Sequence, residues 1–145
     1  MRDLITILRE GVQFELLEPF RFYFKGDFKS LKKLPFGILE LDEIKGGVFI
    51  QTPKGFKTDF GSIPQLFQSL ISPVGKPTKA FVLHDYLCAL SNAGKLKRKV
   101  ADEVFKDALK QLGCGLLKRY LLYFGVRVFS MIVVPTREKL FKAKF

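Results

Sequence analysis

Two hydrophobic periods divide the chain, and one gives way to the other near residue 60. Before that point apolar and polar residues alternate. In "PFRFYFK", Phe20, Phe22 and Phe24 fall on one side of an extended chain and Arg21 and Tyr23 on the other, the period of a strand with one buried face. "VQFELLE" alternates in the same way around Phe14 and Leu16. "GILELDE" and "GGVFIQTP" are short strand-like runs bounded by glycine and proline. Together they predict two or more hairpins.

After residue 60 the period becomes helical. Pro64 to Ile71 predicts a short helix. Thr78 to Leu90 predicts a second, stopped by "SNAG" with Gly94. Val100 to Leu112 predicts a third. Its stripe is Ala101, Val104, Phe105, Ala108 and Leu112, with Lys99, Glu103, Lys106 and Lys110 outside, and Gly113 and Gly115 end it. A fourth runs from Leu116 towards Val134 and is apolar nearly all round, which calls for burial or a partner. The β-branched residues of "VRVFSMIVV" leave its second half open to a strand instead. Strands first and helices second predict an α+β fold: N-terminal antiparallel strands or hairpins, then a C-terminal cluster of about four helices. One domain is expected over residues 1–145, strand-rich over 1–57 and helical over 63–134, with a short basic tail at 135–145.

Composition adds detail to this picture. The 145 residues suit one ordinary domain, and 48% of them are hydrophobic. Sixteen Phe and no Trp predict a core filled largely by flat rings. Cys88 and Cys114 stand outside any CxxC pair, so both are expected as free thiols with no cysteine-based zinc site. Arg2, Asp3, Arg9 and Glu10 interrupt the first ten residues, which lack the apolar core of a signal peptide. Lys118, Arg119 and Arg127 interrupt the longest apolar stretch, Leu116 to Val134. Each costs about 2.5–3.5 kcal/mol at a bilayer centre, so no membrane span is expected.

The formal charge of +11 is uneven. Residues 1–94 hold 12 basic and 10 acidic residues, whereas residues 95–145 hold 13 basic and 4 acidic. A C-terminal third so basic suits a nucleic acid or an acidic protein surface, although the same lysines also solvate helix faces. No helix-turn-helix, zinc-finger or RNP-type aromatic signature accompanies it.

The candidate chemistry clusters around "GFKTDFGSIP" and "AFVLHDYLC". Ser62 and Gln65 have the spacing of a capping box, with Pro64 in the first helical turn, and such a cap contributes about 1 kcal/mol. Asp59 is the residue left over. The sole histidine, His84, shares the apolar face with Ala80, Phe81, Leu87 and Cys88, while Asp85 lies about 100° round the helix. Asp102 sits at the edge of the next stripe, one turn after Arg98. Tyr123 and Arg127 are four apart on one face, and an arginine in so apolar a helix needs a carboxylate from Asp59, Asp85 or Asp102.

Three chemistries fit. In the first, Asp59, His84 and either Asp85 or Asp102 hold a divalent metal through nitrogen and oxygen. In the second, Ser62 is a nucleophile with His84 as base and an aspartate orienting it, though no G-x-S-x-G elbow is present. In the third, the residues form a buried polar network that fixes how the two halves dock. We adopt the third. A hydrolase working through Asp59, His84 and Asp102 is the competing expectation.

"GFKTDFGSIP", "AFVLHDYLC", "RKVADEVFKDAL" and "RYLLYFGVRVFS", in that order over roughly residues 45–130, resemble the domain-of-unknown-function family number 1353, which is common in tailed phages, prophages and bacteria. The resemblance places the family's polar signature on Thr58, Asp59, Ser62, His84, Asp85, Asp102, Tyr123 and Arg127. Gly61 stands where the family usually has alanine, and Cys88 where tyrosine is common. A phage or prophage origin is implied, with a virion or host-cytoplasm location. Other virion proteins are then the expected partners, nucleic acid a further one through residues 95–145, and self-association through Leu116 to Val134 another. A host-directed inhibitor presenting the basic face is the remaining alternative. The family brings no established activity and no established cofactor.

Overall fold

A computed structural model of the chain describes residues 6–8, 14–58, 76–128 and 130–131. It shows antiparallel strands in two small sheets followed by helices, the α+β arrangement expected. One sheet joins β1 (Thr6–Leu8), β2 (Phe14–Leu16) and β6 (Lys57–Thr58) in that order. The other has β5 (Val48–Thr52) at its centre, flanked by β3 (Phe20–Phe24) and β4 (Leu39–Leu41). A 3-10 turn, Lys29–Lys33, separates β3 from β4.

The period-two reading of β3 holds residue by residue. Phe20, Phe22 and Phe24 are buried, and Phe22 pairs with Ile50 across the ladder. On the other face Arg21 lies 4.4 Å over the Phe49 ring, and Tyr23 packs on the same ring at 5.2 Å. Asp42 shapes the β4–β5 turn by accepting the backbone N–H groups of Ile44 and Lys45. The Lys45 N–H above all holds its carboxyl below the usual range.

Three helices are described: α1 (Lys76–Asn92), α2 (Arg98–Gln111) and α3 (Leu116–Val128). The expected short helix Pro64 to Ile71 lies outside the described residues, as do Asp59, Ser62 and the basic tail. The apolar segment expected to end as helix or strand stays helical to Val128, and Ser130 and Met131 follow in π geometry. Helix α1 is buried on several sides because it lies between the sheets and α2: Ala80, Phe81, Val82 and Leu83 are all inaccessible in succession. Helix α2 is the centre of the layer, touching α1, α3 and the 3-10 turn. Of the stripe as read, Ala101, Val104, Phe105 and Ala108 are fully buried, Leu112 is only partly buried, and Leu109 is fully buried as well.

The C-terminal ends of α1 and α2 are glycine turns. Gly94 has φ +78°, and the Lys95 N–H bonds to the Leu90 carbonyl at 2.9 Å. Gly113 has φ +84°, and the Cys114 N–H bonds to the Leu109 carbonyl at 3.0 Å. Each is a left-handed cap that a side chain would strain.

Candidate functional site

Asp102 collects the polar side chains. Its position on α2, beside Ala101 and one turn before Phe105, carries it into the helical layer, where it is 0% exposed. Three groups donate to it. His84 Nε2, from α1, lies 2.6 Å from Oδ1. Arg127 Nη1, from α3, donates to Oδ2 at 2.7 Å, and the Ser130 hydroxyl to the same oxygen at 3.0 Å. One carboxylate therefore ties together three successive helices. A charge with no access to water is tolerated only with such partners.

His84 is held from several sides. Its ring lies 4.8 Å from that of Phe105. The Cys88 sulfur, one turn on, is 3.4 Å from Nε2 and 3.8 Å from Nδ1. Burial pushes the Cys88 thiol up from 9.0 to about 12, against the opposing pull of the Arg98 guanidinium. A thiol so placed is protonated at neutral pH and is a poor nucleophile. The acid and the thiol also approach the same ring nitrogen most closely, whereas a nucleophile–His–Asp relay needs one on each.

The donor atoms of His84, Cys88 and Asp102 lie within 4.8 Å of one another. The set does not fit a metal. Nε2 and Oδ1 are 2.6 Å apart, the separation of a shared proton, and two ligands of one ion at about 2.0–2.2 Å in tetrahedral geometry stand further apart. The second carboxylate oxygen already faces a guanidinium cation.

Asp85 accepts from the Thr58 hydroxyl and so anchors the end of β6 to α1. It serves a different partner from His84 because adjacent helical positions do not face each other. Arg127 finds Asp102 among its three candidate carboxylates. Tyr123 is half-buried with the Lys106 ammonium 4.7 Å from its ring, and burial raises its hydroxyl pKa. Arg98 does not take Asp102; its Nε is buried without a hydrogen-bond partner. Asp59 and Ser62 fall outside the described residues. Ser130 was missed by the motif reading, and its signal was three-residue spacing from Arg127. Two surface clefts of about 450 and 580 Å³ lie beside β3 and beside Tyr86. Neither is lined by His84, Asp102 or Arg127.

Residues 39–126 match the model of a family described as protein of unknown function (DUF1353). The chain belongs to the DUF1353 family. The matched segment runs from β4 almost to the end of α3. It includes Thr58, His84, Asp85, Asp102 and Tyr123, while Arg127 lies one residue beyond it. No curated protein and no solved structure matches this DUF1353 chain.

Proposed function

We propose that this DUF1353 protein is a phage- or prophage-type virion-associated or assembly component, and that the Asp102 network is an internal clamp rather than a reacting centre. The observation that carries the reading is the state of Asp102. It has no exposed surface, and both its oxygens are engaged by residues of the same chain. The resemblance to phage and prophage sequences supplies the setting, and other virion proteins are the partners proposed.

A second reading, a hydrolase using Asp59, His84 and Asp102, draws on the same 2.6 Å His84–Asp102 contact, since a carboxylate on an imidazole is also how a general base is oriented.

One set of variants separates the two. Asp102→Asn leaves the Arg127 charge without its counter-ion, and a loss of about 3–5 kcal/mol is expected. Ser130→Ala removes only one of the hydrogen bonds and costs about 1 kcal/mol. Both are read as denaturant midpoints, alongside titration of the parent with zinc and manganese and an assay on peptidoglycan. Unchanged midpoints together with loss of a bound metal or of peptidoglycan cleavage would overturn the clamp reading in favour of the hydrolase.

A further inference from the structure

Helix α3 turns a row of apolar side chains to solvent. Leu117 is 76% exposed, Phe124 58% and Met131 65%, and Tyr120 and Val128 lie between them. The spacing of three and four residues places all five along one face, opposite Leu122, which α3 buries. At the helical rise the ridge is about 20 Å long. A continuous exposed row of this kind marks an interaction surface.

The charge on α3 itself has one sign, and the neighbouring α2 carboxylates Glu103 and Asp107 are already engaged, by Lys33 and by Ser30. From Ala108 to Met131 there is no Asp or Glu, but there are Lys110, Lys118, Arg119 and Arg127. Arg127 is engaged by Asp102. The Lys106 ammonium stands 5.5 Å from the Tyr120 ring, and the Arg119 guanidinium 5.7 Å from it. Lys110 is exposed on α2.

We propose that the α3 ridge docks on an anionic lipid surface. Leu117, Phe124, Val128 and Met131 enter the headgroup layer, and Lys106, Lys110 and Arg119 rest on anionic headgroups. The chemistry favours lipid over the other occupants. A second copy would set cations against cations, because the nearby α2 carboxylates Glu103 and Asp107 are already engaged within the chain. A nucleic acid would meet the cations but leave Leu117, Val128 and Met131 against phosphate and water. A protein interface carries about one hydrogen bond per 100–200 Å², and along the ridge only the Tyr120 hydroxyl offers a side-chain polar group. None of the described helices is long and apolar enough to cross a membrane, and a ridge that lies on the surface needs no span. The proposal is independent of the clamp role of Asp102, which ridge variants leave in place.

Co-sedimentation of the full chain with vesicles of phosphatidylcholine, with and without phosphatidylglycerol, tests it. Binding is expected only with phosphatidylglycerol and should weaken as salt rises. Phe124→Ser should weaken binding about tenfold or more, and Lys110→Gln about fivefold, both with unchanged melting temperature. Four outcomes overturn the proposal: no binding to anionic vesicles; binding that Phe124→Ser leaves intact; a parent dimer that Phe124→Ser converts to monomer; or a melting temperature lowered by Phe124→Ser, which would mean that the chain itself covers the ridge.

Discussion

Cys88 lies one turn from the only histidine, yet the structure makes it an inert thiol. Burial raises its folded-state value to about 12 against an ordinary 9.0. Its contribution to stability is therefore fully present below pH 9. It is lost as the pH rises through the window from 9.0 to about 12, where the unfolded chain gives up the proton and the folded one keeps it. The unfolding free energy from urea melts should fall across that window by up to about 1.4 kcal/mol per pH unit, and Cys88→Ala should lack that component. The thiol should also resist iodoacetamide at neutral pH until the chain is unfolded. At this scale the sequence was half legible. It put His84 on an apolar face and Arg127 in need of a carboxylate, and both are so. It offered Asp102 the nearby Arg98, whereas the actual partners come from α1 and α3. Spacing within a helix does not encode which helices meet across it.

Among the elements, the glycines show where spacing suffices and where geometry is needed. Gly94, Gly113 and Gly115 all read as helix stops, but only Gly94 and Gly113 have positive φ. Gly115 instead begins α3, its carbonyl accepting the Arg119 N–H at 2.9 Å. A Cβ on Gly94 or Gly115 meets nothing within 4 Å, so the backbone alone decides. Gly94→Ala should cost about 1–2 kcal/mol, while Gly115→Ser should be neutral or gain a few tenths through an N-terminal cap. Thermal melts of the two variants check this. Strand β3 was legible because Phe20, Phe22 and Phe24 alternate without a break. The pairing of β2 with β6, from Phe14 to Thr58, was not, since those partners lie more than forty residues apart and no local signal joins them.

For the molecule as a whole, the change of period near residue 60 was enough to read strands followed by helices, but not how the two halves attach. One apolar core joins them, with Phe22, Phe24, Phe81 and Phe105 in a single cluster, and specific polar contacts fix the fit. Ser30 donates to Asp107, and Lys33 meets Glu103 at 2.8 Å, so the 3-10 turn is fastened to α2. Gln111, at the end of α2, reaches β3: its Nε2 donates to the Tyr23 carbonyl, and its Oε1 accepts the Lys25 N–H at 2.6 Å. β3 is an outer strand of its sheet. The Gln111 amide thus offers one donor and one acceptor where a neighbouring strand would, and blunts an edge that another chain would otherwise extend. Without it, three phenylalanines in alternation would lie beside unpaired backbone, the composition of a segment prone to cross-β stacking. Gln111→Ala should lose only about 1–2 kcal/mol as a monomer. Light scattering on mild heating should nonetheless rise earlier and more steeply with protein concentration than for the parent. A single side-chain amide would then act as a guard against polymerisation.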